Sequence, residues 1–301
     1  MMSKTGTAAA VGNHSSGLTA FLHKCRTTSF WGIVPFLIFA GYFLFWPIFS
    51  IAKSSITDNK HHISLGVYKL LFTGNYREAF ISSFKLSLFS ALLAGVLGAI
   101  LAFAISKTSG AVKSFTNSAA GVLANTGGVP LAFMFVAAFG QDGLVTKILL
   151  FFHWDIYAGS FDLGNFWGIL LVYCFFQIPL MVIIFSPAVE NMKKEWAEAS
   201  DSLGANSFQF FRFVTAPILF PAFLSATLLL FASAFSAYAT ARAMTIGNLP
   251  LVPLVIGTLV DGNVIPSEAN LGDALAMGMV FVSGLAIVAY LGLLRFSKGR
   301  S

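Results

Sequence analysis

The sequence predicts an all-α, polytopic membrane protein with about six transmembrane helices. Of its 301 residues, 57% are hydrophobic and only 10% are charged, whereas about 25% of the residues in a soluble domain are charged. Six apolar segments also reach the length of about 20 residues that a helix needs to cross the hydrocarbon core. They lie at residues 30–52, 82–106, 118–140, 165–187, 218–240 and 273–294.

The first apolar segment is expected to remain as a helix of the protein rather than to be removed as a signal peptide. It follows a polar arm at residues 1–29 and is longer than the apolar part of a signal peptide. No small-residue cleavage site follows it. One transmembrane domain is therefore predicted over residues 30–295, followed by a short tail at residues 296–301.

The distribution of Lys and Arg predicts that the arm and the tail are both cytoplasmic. With the N-terminus inside, the internal segments contain 11 of these residues and the external loops contain 6, while Lys85 lies within the second apolar segment. Cytoplasmic loops of membrane proteins carry an excess of Lys and Arg. The net charge of +6 is therefore attributed to orientation in a lipid bilayer, and no nucleic-acid partner is expected.

The segment at residues 188–217 contains the densest charge of the chain and is predicted to be a cytoplasmic loop between the fourth and fifth spans. Helical spacing divides its first part into two faces. The apolar and small face consists of Trp196, Ala199, Ser200 and Leu203, and the polar face of Glu195, Glu198 and Ser202.

A glycine bend is predicted to end this first helix. Gly204 follows the last periodic residue, where helices commonly end in a left-handed turn. Asn206 is placed to cap the next helix, with Gln209 at the reciprocal capping-box position. A short second helix at Ser207–Phe213 is expected to lie at the membrane interface before Pro217.

This loop resembles the EAA loop of ABC-importer permeases, in which it is the docking site of the ATPase subunit. The resemblance is carried by Glu198, Ala199, Ser200, Leu203, Gly204, Ala205 and Pro217. Two positions depart from the family pattern, because Ser200 and Ala216 replace an Ala and a Leu. The resemblance implies the fold of a type I ABC importer permease and assigns ATPase docking to these seven residues.

Three other segments resemble the branch of this family that handles polyamines, ferric iron, thiamine and phosphonates. They are Pro130, Gln177–Pro179 and Ser233–Thr240. The resemblance implies import of a small hydrophilic solute, with a polyamine-like solute favoured and ferric iron, thiamine or a phosphonate as alternatives.

The chain contains no Gly-x-x-x-x-Gly-Lys-Ser/Thr motif for phosphate binding. It is therefore expected to be non-catalytic and to bind no cofactor, with ATP and Mg held by a partner. The family resemblance implies a dimer of cytoplasmic ABC ATPases and a second permease subunit, paralogous rather than identical. It also implies an extracytoplasmic solute-binding protein and a location in the bacterial plasma (inner) membrane.

An ion-coupled secondary transporter is the main alternative. Such carriers usually place ionisable residues within the membrane, and the apolar segments here contain almost none. A membrane enzyme with a metal site is disfavoured as well. His61 and His62 form the only histidine pair, and no acidic or Cys partner stands at ligand spacing from it; no metal site is predicted.

Polar residues within the apolar segments are the candidates for a solute path. They are Asn125, Gln177, Ser233, Ser236, Tyr238 and, near the outer end of the fifth span, Arg242. Hydrogen bonding between helices is the alternative role for each of them, because amide and hydroxyl side chains commonly link helices in membranes.

Overall fold

A computed structural model of the protein describes residues 15–57, 66–159, 161–245, 249–261 and 269–298. Side chains are described within these ranges for residues 33–261 and 270–293. The described residues form helices and no β-sheet, which confirms the predicted all-α fold. The start of the predicted arm, the end of the predicted tail and the His61–His62 pair lie outside the described residues.

Thirteen α-helices and one π-helical turn follow each other along the described chain. The helices are α1 (Ser15–Ile56), α2 (Gly66–Leu70), α3 (Gly74–Ser106), α4 (Ala111–Asn125), α5 (Val129–Phe139), α6 (Leu144–Phe151), α7 (Phe166–Glu190), α8 (Lys194–Ser202), α9 (Ser207–Phe210), α10 (Ala216–Phe235), α11 (Ala239–Met244), α12 (Val252–Val260) and α13 (Ala269–Lys298), and the π-helical turn is Phe211–Thr215.

The chain divides into two compact units, the first up to Lys53 and the second from Ser54 onward. The first unit contains most of α1, and no residue in the most apolar window of that helix is buried. Its aromatic side chains contact one another along the helix, as in the stacked pair Tyr42 and Trp46 with ring centroids 5.7 Å apart. The second unit contains the helical bundle.

The bundle of the second unit is built on α3, α7, α10 and α13. Small residues allow close approach where helices cross in membranes, and Gly98 of α3 is such a residue. A Cβ atom at Gly98 would lie 2.5 Å from the Cβ of Met181 and 2.8 Å from the carbonyl oxygen of Ile178. Aromatic contacts complete the core, with the rings of Phe84 and Phe231 5.4 Å apart.

Six helical segments of the described chain are long and apolar enough to cross a membrane, as predicted. They are Ile33–Ile56, Gly74–Ser106, Val129–Phe151, Phe166–Glu190, Ser207–Phe235 and Asn270–Leu293. The second begins eight residues earlier than expected, and the third and fifth differ in a way that matters for the site.

The third span was predicted at residues 118–140, and this prediction is wrong. The helix breaks between Asn125 and Val129, because Gly128 adopts a positive φ of 78° and Pro130 lies in the first turn of a new helix. Proline favours the first turn of a helix, and glycine adopts positive φ without strain. The span is therefore α5 with α6, while α4 is a separate helix that packs against α7.

The fifth span was predicted at residues 218–240, and both of its ends are different in the structure. The expected short interfacial helix at Ser207–Phe213 is not separate, because the helix continues from Ser207 to Phe235. The π-helical turn ends two residues before Pro217, which has no N–H to form a regular helical bond to the carbonyl of Phe213. Such π turns accommodate irregularities within α-helices.

The segment after Phe235 is not a simple external loop. It contains α11 and α12, and α12 packs against α3 and α13. The backbone N–H of Val252 donates a hydrogen bond to Ser83 Oγ at 2.8 Å, in a buried position. The first N–H of α12, which has no partner within its own helix, is thereby paired, as it must be wherever water is excluded.

Candidate functional site

The charged loop forms a nine-residue helix, α8, that is almost entirely exposed. Only Ser200 is buried among its residues. Trp196 is half-buried and packs under the ammonium group of Lys193, which lies 5.8 Å from the ring centroid. The predicted apolar face is thus divided: Ser200 points inward, whereas Ala199 and Leu203 face outward.

Gly204 ends α8 in the predicted left-handed conformation, with a φ of 73°. The Gly204 N–H donates to the Asp201 carbonyl at 2.9 Å, and the Ala205 N–H donates to the Ser200 carbonyl at 3.1 Å. These two bonds form a Schellman motif. A Cβ atom at Gly204 would meet no atom within 4 Å, so only the backbone angle favours glycine here.

The predicted capping box starts the next helix. The side chain of Asn206 accepts a bond from the Gln209 N–H, and the side chain of Gln209 accepts one from the Asn206 N–H, both at 2.8 Å. Together with the Schellman motif, these bonds fix the angle between α8 and the start of the fifth span, which follows it in the chain.

An exposed surface of mixed chemistry results, which we name the coupling surface and define as Glu198, Ala199, Leu203, Gly204 and Phe208. Leu203 is 87% exposed and Phe208 is 68% exposed, and Glu198 is exposed beside them. Large apolar side chains that are presented together with charge are typical of a site for another protein. Of the other predicted docking residues, Ser200 is buried, Ala205 is half-buried and Pro217 is exposed.

Two contacts with the bundle are made by residues that flank the coupling surface in the chain. At the end of α7, Glu190 forms an ion pair with Lys113 of α4 at 2.7 Å. On the other side, the ring of Phe211 contacts the ring of Phe103 in α3, with centroids 6.4 Å apart. These contacts link the residues on either side of α8 to α4 and α3.

Two helix breaks meet inside the bundle, and most of the predicted path residues lie around them. The Gly128 N–H, between α4 and α5, donates to Thr240 Oγ1 at 2.9 Å. The Tyr173 hydroxyl donates to the Ala237 carbonyl, between α10 and α11, at 3.0 Å. Asn125 is exposed beside the first break and donates to the Gly121 carbonyl at 2.8 Å.

Ser236 and Tyr238 line a cavity of about 600 Å³ beside the second break, together with Asp261 and Ser283. Tyr238 is 39% exposed. Arg242 lines a neighbouring cavity of about 700 Å³, and its guanidinium lies 3.7 Å from the Asp261 carboxylate. The structure therefore places Ser236, Tyr238 and Arg242 in one region.

Gln177 and Ser233 line neither of these two cavities. Gln177 is fully buried and its Nε2 donates to Ser90 Oγ at 3.3 Å, which links α7 to α3. Its Oε1 has no hydrogen-bond partner among the described residues. Ser233 is half-buried in α10. For Gln177, the structure favours the interhelical hydrogen bond that was the alternative role.

Lys85 is a charged residue within the second span that lines neither of these two cavities. Its side chain is exposed in the middle of a broad apolar face of α3 that includes Ile81, Leu88 and Leu92. It lies eight residues, or about 12 Å, along the helix from Arg77. A lone cation in an apolar run was the available signal, because such residues are costly in a membrane and usually functional.

No group of three or more His, Cys, Asp and Glu side chains that could hold a metal ion occurs within the described part of the chain. The cavities beside the breaks contain hydroxyl, amide, guanidinium and carboxylate groups. Such groups can bind and orient a hydrophilic solute.

Comparison with known proteins identifies the relatives of this chain. Residues 94–297, more than half of the chain, match the model of the family described as binding-protein-dependent transport system inner membrane component. A probable sulfate transport system permease protein cysT from Helicosporidium sp. subsp. Simulium jonesii is 34% identical over 122 residues, covering 40% of this chain and 43% of the relative. The match to its counterpart from Chlorella vulgaris covers 35% of that protein. The chain thus spans less than half the length of these relatives.

A longer match and two solved structures are also named as transport proteins. The trehalose transport system permease protein SugB of Mycobacterium tuberculosis is 26% identical over 230 residues, covering 73% of this chain and 77% of the relative. A bacterial alginate ABC transporter in complex with a periplasmic protein has a TM-score of 0.67 at 17% identity, covering 91% of this chain and 95% of that chain. The MetNI methionine ABC transporter has a TM-score of 0.53 at 14% identity, covering 78% and 99%. The chain belongs to the family of inner membrane components of binding-protein-dependent transport systems.

Proposed function

We propose that this chain is the membrane-spanning permease subunit of an ATP-driven importer and that its coupling surface docks a cytoplasmic ABC ATPase dimer. The exposed helix α8, held by the Schellman motif at Gly204 between two spans, carries the proposal. Apolar side chains such as Leu203, presented to solvent, need a protein partner to cover them.

In this proposal the chain is non-catalytic and binds no cofactor, and the partner ATPases hold ATP and Mg. A second permease subunit, paralogous rather than identical, completes the path, and an extracytoplasmic binding protein delivers the solute. The chain lies in the bacterial inner membrane with both termini cytoplasmic. Alginate and methionine ABC transporters with a similar fold support these kinds of partner.

The contacts of the coupling surface suggest how its movement reaches the path. Closure of the ATPases on ATP would displace α8 and pull on Glu190 and Phe211. The Glu190–Lys113 ion pair acts on α4, whose last residue lies beside the first helix break. The ring of Phe211 acts on α3 through Phe103. The two breaks would then open or close as the spans rock.

For the solute, we propose a small oxyanion of the sulfate class. Several relatives are named as sulfate permeases, and Lys85 presents a cation on an otherwise apolar face of α3. An ammonium group in low dielectric attracts an anion strongly and repels a cation. The polyamine-like solute favoured by the sequence is polycationic, so Lys85 argues against it, and no relative among those compared supports it.

A sugar is the second candidate. The relative with the longest match in this comparison is a trehalose permease, and the cavity of about 600 Å³ beside the second break contains the Tyr238 ring with the hydroxyls of Ser236 and Ser283. An apolar pocket with a few placed polar groups is typical of a small-molecule site. Neutralising Lys85 distinguishes the two solutes. It should lower the uptake of an oxyanion but not that of a neutral sugar, which is not attracted by the charge.

The coupling role is tested in proteoliposomes that contain the chain with its ATPase, its partner permease and its binding protein. Val at position 204 adopts a φ of 73° only at a cost of about 1–3 kcal/mol, so Gly204→Val should abolish the rise in ATP hydrolysis that the liganded binding protein causes. Gly204→Asn is the matched control, because Asn tolerates left-handed backbone, and it should retain most of that rise.

Two outcomes would contradict the proposal. The first is full stimulation of hydrolysis in Gly204→Val, which would show that the ATPase does not depend on α8. The second is uptake by the chain alone, driven by an imposed proton gradient and abolished by an uncoupler. That result would identify an ion-coupled secondary transporter instead.

A further inference from the structure

An apolar groove lies between α3 and α13 at the end of the bundle where α3 begins. It has a volume of about 580 Å³. Its walls include Phe72, Ile81, Phe281 and Val282, and the only charged side chain that lines it is Arg77. No predicted coupling or path residue lines it.

The level of this groove in the membrane follows from the charged residues of the two helices. On α13, Asp273 is the last acidic residue before an apolar run that begins at Ala274, so Phe281 and Val282 lie within the first turns of that run. On α3, Arg77 and Lys107 are separated by 30 residues, or about 45 Å of helix. That length matches a bilayer with its headgroup regions, about 40–45 Å. Arg77 therefore lies at headgroup level, with the groove below it.

The walls of the groove are exposed and continue deeper along α13. Phe72 is 78% exposed and Phe281 is 71% exposed. Leu285 and Val288 extend the same apolar face toward the middle of the membrane, and they are 64% and 68% exposed. An acyl chain that entered the groove could thus continue along α13 into the hydrocarbon core.

Arg77 supplies the polar end of the site. Its side chain is exposed, and among the described residues it forms no ion pair. A guanidinium group binds phosphate oxygens through two parallel N–H donors, and basic pockets between spans bind lipid headgroups. Tyr68 also lines the groove, and tyrosines are enriched at this depth of a membrane.

We propose that this groove is a binding site for one phospholipid, whose phosphate contacts Arg77 and whose acyl chain occupies the groove between α3 and α13. A cation at the headgroup end and apolar walls below it match the two parts of a phospholipid. The site is separate from the coupling surface and from the helix breaks.

The test uses the full chain, copurified with its partner subunits and stripped of lipid in detergent. Native mass spectrometry then measures the retention of added phosphatidylglycerol. The wild-type chain should retain one molecule, and Arg77→Gln should weaken retention roughly tenfold, the loss expected for one charge-assisted hydrogen bond. Lys69→Gln is the matched control, because Lys69 is exposed nearby in α2 but does not line the groove, and it should bind as the wild type does.

A second variant tests the groove itself. Ile81 is 39% exposed and lines the wall, so Ile81→Trp should fill the groove and reduce retention while Arg77 stays in place. Equal retention in the wild type and Arg77→Gln would overturn the proposal. Equal retention of diacylglycerol, which has no phosphate, would also overturn it, as would crosslinking of Ile81→Cys to the partner permease in the complex.

Discussion

Lys85 is the residue on which the choice of solute depends. It is exposed on α3 among large apolar side chains, where a charge interacts more strongly with a solute than it would in water. If the solute is an oxyanion, Lys85→Gln should lower sulfate uptake by the reconstituted complex at least about tenfold, the effect of losing one charge-assisted contact.

The matched control for that measurement is Lys147→Gln. Lys147 is also exposed, and its only described ion pair is a distant one with Asp142 at 3.8 Å. Exposed pairs of this kind contribute little, so uptake should be unchanged. Unchanged sulfate uptake in Lys85→Gln would exclude Lys85 from the path and favour the sugar.

Gly98 is a residue at which side-chain volume, not backbone angle, is limiting. A Cβ atom there would lie 2.5 Å from the Cβ of Met181, so Gly98→Ala must push α3 and α7 apart. Overpacking of this kind costs about 1–3 kcal/mol. The thermal unfolding midpoint of the chain in detergent should therefore fall. Gly284→Ala in α13 is the control, because nothing lies within 4 Å of its added methyl; an equal fall in both would contradict the packing account.

At the scale of elements, the two helix breaks are held together by Thr240. Its Oγ1 accepts the N–H of Gly128, and the side chain is only 3% exposed. Thr240→Val keeps the shape of the side chain but leaves the part-buried N–H of Gly128 without this partner, at a cost of up to about 3 kcal/mol. The chain should unfold at a lower temperature, and transport should fall because the α4–α5 break is no longer fixed.

Thr116→Val provides the control for Thr240→Val. The Thr116 hydroxyl donates to the Val112 carbonyl in an exposed part of α4, where water replaces the lost bond. The Thr116→Val chain should therefore unfold at the same temperature as the wild type. A Thr240→Val chain that also unfolds at the wild-type temperature would show that the breaks are fixed by other contacts.

The elements that the sequence predicted well are those whose determinants are local. The bend at Gly204 and the capping box of Asn206 and Gln209 depend on residues within a few positions of one another. Both were confirmed by hydrogen bonds at 2.8–3.1 Å. The lengths of the apolar segments likewise predicted six spans, because the thickness of the bilayer determines how many apolar residues a span needs.

The elements that the sequence predicted poorly depend on distant partners. The break before Val129 is stabilised by Thr240, 112 residues away, and no local pattern shows that contact. Hydropathy averaged over the length of a span cannot locate such a break either, because apolar segments lie on both sides of residues 125–128. Ser236 and Tyr238 could be identified from the sequence as polar residues within a span. Their place around a cavity could not be predicted, because the other residues that line it are distant in the chain.

At the scale of the whole molecule, the orientation in the membrane can be measured directly. Ser207 and Asn75 are both exposed and lie at opposite ends of the bundle. In a chain with Cys25→Ser and Cys174→Ala, a cysteine at Asn75 should react with an impermeant reagent added outside intact cells. A cysteine at Ser207 should react only after the membrane is opened. Reaction of both from outside would refute the proposed topology and, with it, ATPase docking.

The open space around Gly204 has a consequence for how this chain can evolve. With no atom within 4 Å of an added Cβ, selection at this position acts on the sign of one dihedral angle and is indifferent to side-chain size. Drift can therefore exchange Gly204 for Asn, which tolerates that angle. At Gly98 the reverse holds: most side chains adopt the helical backbone, but an added Cβ atom lies too close to Met181. The two glycines should thus follow different substitution histories, one exchanging with Asn and the other invariant.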